Sequence, residues 1–244
     1  MPEGRQAPVA DIVTLLGFGP DGWGDEIASG ILVTVSLALA TLPFGLALGF
    51  FIALGKQSEE PSIRLAANIY TTIFRGLPEL LTLFLVYFGA QIGISALVRA
   101  LGIADGVEIN SFIAGMFALG VVFSSYASEV FLSAFRAIPR GQYEGGFAIG
   151  LTWGQTMRLV VLPQLFRIAL PGLANLWLIL IKDTALVSVI GLSDILRQTG
   201  IAARVTKQAF LFYGTACLIY LGLAILSSFA ISAIERRAAR GTAR

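Results

Sequence analysis

The chain has no histidine and one cysteine, Cys217, set in an apolar run. The first absence removes the commonest zinc ligand and the commonest acid–base catalyst. The second excludes an internal disulfide. Charge is scarce too: 13% of the 244 residues are Asp, Glu, Lys or Arg, where a soluble domain carries about a quarter. That leaves too little polar surface to face water on every side. The opening MPEGRQAPVADIV lacks a basic stretch followed by a compact apolar core, so no cleaved signal peptide is expected. No Gly-rich stretch ends in Gly-Lys-Ser/Thr, so the chain is not expected to hydrolyse ATP alone.

What the chain has is apolar length. Its residues are 56% apolar, with a mean hydropathy of +0.81. A helix needs about 20 mostly apolar residues to cross the hydrocarbon. Residues 27–55, 80–98 and 208–234 carry no charge, 110–135 is broken only by Glu129, and 170–193 holds Lys182 and Asp183. All five spans should be helical, because an open sheet edge cannot be satisfied in lipid. The fold class expected is therefore all-α, a polytopic membrane helical bundle. Segments 56–75, 136–167 and 235–244 hold eleven Lys and Arg, and the segments on the other side hold five. The positive-inside rule then places the amino terminus outside and the carboxyl terminus in the cytoplasm. The organisation expected is an outer segment 1–26, a transmembrane domain 27–235 and a basic inner tail 236–244.

Three interruptions of this pattern carry information. Residues 136–163 read RAIPRGQYEGGFAIGLTWGQTMRLVVLP, too small and polar to face lipid. Residues 142–150 can make a short helix, and Leu151-Thr152-Trp153 begins a second. Pro163 and Pro171 fit a chain turning back into the membrane. A surface helix of this kind presents one face to a soluble partner; the alternative is a connecting loop packed under the bundle. Next, residues 69–89 read IYTTIFRGLPELLTLFLVYFG. Here Pro78 opens a helix, Gly76 permits close backbone approach and Arg75 stays at the interface, although helix-start chemistry alone also accounts for Arg75 and Pro78. Glu129 is costly in lipid and should face protein or water, as a structural hydrogen bond or a substrate contact.

The third interruption is Lys182-Asp183, roughly 18 Å along its helix from Leu170 at about 1.5 Å per residue. Neighbours in a helix point apart, so the two do not naturally pair. Asp183 can offer its carboxylate to a guanidinium or ammonium, with Thr184 and Ser188, four apart, sharing a face beside it. An interhelical ion pair with a partner subunit is the alternative. Asn175 and Trp177 are weaker cavity candidates, and the outer loop 191–207 is either a docking surface or solvated.

Glu144, the small Gly145 and Gly146, Gly150 six positions on, Val160 and Leu162-Pro163 together resemble the EAA loop of ATP-binding-cassette importer permeases. The family usually has alanines where this chain has Gly145 and Gly146. Glycine costs roughly 1 kcal/mol more than alanine in a helix, so the coupling helix is expected to be softer. The FRG-x-P stretch at 74–78 and the Tyr-x-x-Glu at 126–129 are similar to those of polar amino-acid permeases. LLGFGPDGWG at 15–24 and LPGLANLWLILIKDTALVSVIGLSD at 170–194 look most like the basic amino-acid and opine branch.

The resemblance implies a type-1 transmembrane domain of a bacterial inner membrane, a permease rather than an enzyme. It implies transport of arginine, histidine, lysine or an opine. The implied partners are a second homologous permease or another copy of itself, an ATPase dimer gripping the loop at Glu144, Gly145, Gly146, Gly150, Leu162 and Pro163, and a periplasmic binding protein. ATP and Mg2+ belong to the ATPase; no cofactor in this chain and no nucleic-acid partner are expected. Asp183, Thr184, Ser188 and Lys182 are the implied substrate contacts, and Arg75, Gly76, Pro78 and Glu129 the structural or gating set. The competing reading is an ion-gradient-driven secondary transporter, which calls for inverted repeats and broken midplane helices; no convincing repeat is visible. A membrane-bound enzyme has no paired-carboxylate site within one span to support it.

Overall fold

The computed structural model describes residues 9–103 and 108–239; Arg5, Arg240 and Arg244 of the charge count lie outside them. The described chain runs α1 (Val9–Leu16), α2 (Gly24–Lys56), α3 (Pro61–Gly76), α4 (Glu79–Ala100), α5 (Ser111–Ala137), α6 (Arg140–Ala148) and α7 (Trp153–Thr156). A π-helical turn (Met157–Val161) then leads into α8 (Leu162–Asp183). A 3-10 segment (Thr184–Ile190), α9 (Ile195–Thr206) and α10 (Ala209–Ala239) complete it. No strand occurs among the described residues.

The bundle is organised by small residues. Along α2 the buried positions include Gly30, Thr34, Ala38, Thr41, Gly45, Gly49 and Ala53, a seam repeating every three or four residues. Lipid tails are as apolar as the helices, so close backbone packing, rather than apolar burial, holds such helices together. At Gly45 and Gly49 the seam meets the small face of α5, where Ala118, Ser124, Ala127 and Ser128 are buried, whereas Gly30 and Thr34 face Asp194 and Ile195. A Cβ at Gly45 would stand 2.6 Å from Phe123 Cδ1, and one at Gly49 would stand 2.9 Å from Ala127 Cβ. Helix α8 lies against another side of α5, with Gly172 facing Val130. Phe131, Leu165, Val161 and Leu180 fill the space between. A smaller cluster of Ile27, Ala202, Ala203 and Phe212 ties the amino-terminal end of α2 to α9 and α10.

Five helices are long and apolar enough to cross a membrane: Gly24–Lys56, Glu79–Ala100, Ser111–Ala137, Trp153–Ile190 and Ala209–Arg237. Four coincide with the expected spans to within a few residues. The fourth does not begin at Leu170 as expected. Pro163 falls in the first turn of α8, where its missing N–H does no harm, so the helix enters from the loop without a break. Pro171 likewise sits inside α8 rather than at a turn. Segment 56–75 is not an open loop either, since the 16-residue helix α3 fills it from Pro61 onward and ends just beyond it at Gly76. Between α3 and α4, Leu77 is extended at φ −90°, ψ 143°, as expected before a proline.

Candidate functional site

Two carboxyls meet inside the bundle. Helix α8 ends at Asp183 and α4 begins at Glu79, directly after Pro78. Both side chains line one pocket with Leu119, Val122, Phe123 and Tyr126 of α5 and Leu176, Ile179 and Leu180 of α8. They lie close enough to act on one another electrostatically. The space measures about 20 Å3, room for a water and not for an amino acid. In an otherwise apolar pocket, two carboxyl groups offer a cation several acceptors at once.

The neighbours of Asp183 differ from expectation. The chain tightens into a 3-10 helix at Thr184, where side chains repeat every three residues rather than 3.6. Thr184 and Ser188 therefore do not share a face. Thr184 is fully buried, its hydroxyl donating to the Ile181 carbonyl at 2.6 Å, and the Ser188 carbonyl accepts from Arg197 Nη1 at 3.3 Å. Lys182 points to the surface of the chain, near enough to Asp183 to influence it but unpaired with it among the described ion pairs. Asn175 is exposed, and Trp177 packs half-buried against the core.

A second polar group lies on the other side of Tyr126. Lys56 Nζ, at the end of α2, donates to Glu129 Oε1 at 2.5 Å, and Arg75 Nη1 donates to the same oxygen at 3.0 Å. The Arg75 guanidinium also stands 5.6 Å above the Tyr126 ring, a cation–π contact. Glu129 thus faces protein, as the cost of a charge in lipid requires. Gly76 makes no close backbone approach: a Cβ there would meet nothing within 4 Å. Pro78 does open α4, as its N-cap at φ −58°, ψ 133°.

The loop between α5 and α8 folds as two short helices. Gly150, at φ +84°, ends the first turn sequence; its N–H donates to the Phe147 carbonyl at 3.0 Å and the Leu151 N–H to the Gly146 carbonyl at 3.1 Å. This left-handed closure suits glycine. Thr152 then caps α7 in a reciprocal capping box with Gln155. Glu144 is exposed, and so are Phe147, Ile149 and Trp153, an apolar patch beside an acid on the outer face of the loop. The two glycines are not equivalent. A Cβ at Gly145 would meet nothing, whereas one at Gly146 would stand 2.5 Å from Thr156 Cγ2. Gly146 is a packing requirement of this loop, so softness is not its whole meaning. Val160 lies in the π-helical turn, Leu162 opens α8, and one nearly continuous rod runs from Trp153 to Asp183.

Sequence reasoning singled out neither Glu79 as a partner of Asp183 nor Lys56 as a partner of Glu129. An acid in the first turn of an apolar span was the available signal for Glu79. A lysine closing a span reads as interface chemistry and gives no hint of Glu129.

A helical bundle with five helices long and apolar enough to cross a membrane, and a structured surface loop joined directly to an acid-bearing one, has the architecture of a polytopic membrane protein. Residues 45–240 match the family model described as binding-protein-dependent transport system inner membrane component. The chain belongs to that family, the permease subunits of ATP-binding-cassette importers. It is 41% identical to the nopaline transport system permease protein of Agrobacterium fabrum, over 94% of this chain and 98% of that one. It is 36% identical to the histidine/lysine/arginine/ornithine transport system permease protein of Salmonella typhimurium, over 91% and 97%. A crystal structure of an amino acid ABC transporter with histidines superposes with a TM-score of 0.74 at 33% identity, covering 88% of this chain and 95% of that one. These matches favour an ATP-driven importer over a secondary transporter.

Proposed function

We propose that the chain is one permease of an importer for cationic amino acids or opines, with Asp183 and Glu79 receiving the cationic end of the substrate. The observation that supports this reading most directly is the meeting of these two carboxyls in an apolar mid-bundle pocket. Intramembrane ionisable groups are expensive, and in transporters they mark substrate paths. Relatives named for nopaline and for histidine, lysine, arginine and ornithine agree with a guanidinium- or ammonium-bearing cargo. The pocket must widen to admit one, which fits a site opened by motion of α4 against α8.

The patch of Glu144, Phe147, Ile149 and Trp153 is the proposed seat of the ATPase, which supplies ATP, Mg2+ and hydrolysis. Its closure would pull on the rod from Trp153 to Asp183 and shift the balance between inward- and outward-open states. The arginine distribution supports a cytoplasmic loop, an outer amino terminus and an inner carboxyl terminus. Lys182 supports a second permease, homologous or identical. A lysine turned outward from the middle of a span needs cover from protein or a water-filled path. A periplasmic binding protein would deliver the substrate to the outer side.

The test is uptake of labelled arginine and nopaline into vesicles holding the chain with its ATPase and binding protein. ATP-dependent uptake that collapses in Asp183→Asn while the complex still assembles supports the reading. Uptake that continues without ATP, or equal loss of uptake and assembly, refutes it.

A further inference from the structure

We infer that Arg75 is the exchangeable half of the Glu129 bridge and takes the carboxylate of the transported molecule. This rests on the reading above of a cationic amino-acid or opine permease. The two cations on Glu129 are not equal. The Lys56 side chain is 5% exposed and held at 2.5 Å, while that of Arg75 is 45% exposed and held at 3.0 Å. Breaking the first would strand a buried ammonium; leaving the second costs little, because water screens it. If Arg75 changes partner, Lys56 continues to neutralise Glu129 and no buried charge is left unpaired.

The surroundings of Arg75 suit a carboxylate. It opens on a polar pocket of about 600 Å3 that Asn68, Thr72 and Gly76 also line. Tyr126 supports the guanidinium from its face, so its N–H edge, which now gives Nη1 to Glu129, can turn to form the fork that matches a carboxylate. Tyr126 also lines the pocket of Glu79 and Asp183. Arg75 and Glu79 flank the break at Leu77-Pro78, so an acid pair and an exchangeable guanidinium stand on either side of one tyrosine. A molecule with a cation at one end and a carboxylate at the other finds both contacts as it passes. The arrangement selects amino acids over the corresponding amines, and an opine, which adds a carboxylate, is equally suited.

The experiment is direct binding of labelled arginine, nopaline and agmatine (arginine without its carboxylate) to the purified permease–ATPase complex without the binding protein. A charge-assisted contact should make arginine about tenfold or more tighter than agmatine in the wild type. Arg75→Gln should bring arginine to the agmatine value and leave agmatine unchanged, and Asp183→Asn should weaken both. Arg75→Lys, which keeps a charge without the fork, should give an intermediate ratio; it decides alone if Arg75→Gln does not assemble. An unchanged arginine/agmatine ratio, or equal weakening of both by the Arg75 variants, means that Arg75 is structural, and only this inference falls. If the wild type binds neither arginine nor nopaline, the substrate reading falls and this inference with it.

Discussion

Alanine at Gly145 and alanine at Gly146 should have opposite effects, although the residues are adjacent on one short helix. At Gly145 the new Cβ meets nothing within 4 Å, so only the backbone term acts and α6 gains about 1 kcal/mol. At Gly146 the same gain is opposed by contacts of 2.5 Å to Thr156 Cγ2, 2.7 Å to Oγ1 and 3.1 Å to Cβ. All three belong to one β-branched side chain with little freedom at χ1. Overpacking of this kind costs about 1–3 kcal/mol, enough to cancel the helix term or exceed it. Thr156 can be tested independently, since its buried hydroxyl has no hydrogen-bond partner among the described residues. Thr156→Ala removes the two shortest contacts and should rescue Gly146→Ala. The assay is a double-mutant cycle on thermal unfolding of the permease–ATPase complex, with ATPase affinity as the second readout. Gly145→Ala should raise both stability and affinity, Gly146→Ala should lower them, and the cycle should show a coupling energy of about 1 kcal/mol or more. Equal effects of the two alanines, or additivity with Thr156→Ala, would refute the steric argument.

Other outcomes follow from neighbouring features. Ile149→Glu and Trp153→Glu place charges on the exposed apolar patch and should release the ATPase while leaving the bundle folded, as co-elution and circular dichroism would show. Gly49→Ala drives a Cβ to 2.9 Å from both Ala127 Cβ and the Ser124 carbonyl and should cost about 1–3 kcal/mol, whereas Gly89→Ala, with nothing within 4 Å, should not destabilise; thermal unfolding separates them. Asp194, beyond the fourth span, is fully buried; burial pushes its carboxyl up from 3.8 to about 6, against the hydrogen bond from the Arg197 N–H. The native state therefore holds a proton that the unfolded chain has lost. This contribution is fully present below 3.8 and is lost as pH rises through about 6. A thermal series should show that decline in the wild type and not in Asp194→Asn.

The spans and the loop between them were legible because they depend on local composition. Apolar length sets a span wherever it occurs, and Thr152 and Gly150 act on their own neighbours. What escaped depends on partners distant in sequence or on a change of helical period. Glu79 reads as the start of a helix until α8 brings Asp183 beside it. Thr184 and Ser188 share a face only if the helix stays α, and the chain tightens at that point. Helix α3 was hidden by its polar face, which holds Arg75 toward Glu129. The seam along α2 was present in the sequence as Gly30, Thr34, Ala38, Gly45, Gly49 and Ala53, but small residues in an apolar run attract no attention without a facing helix.

That seam bears on which parts can move. Backbones at this distance cannot slide without forcing a Cβ into a neighbouring atom, so α2 and α5 form a stator. Glu129, Tyr126 and Lys56 are mounted on it, whereas Arg75, Glu79 and Asp183 sit on α3, α4 and α8. The Lys56–Glu129 contact therefore joins two anchored groups, the Arg75 contacts with Glu129 and Tyr126 join a carried group to anchored ones, and Glu79 and Asp183 are both carried. In native-state hydrogen exchange the stator should open last, as a single unit.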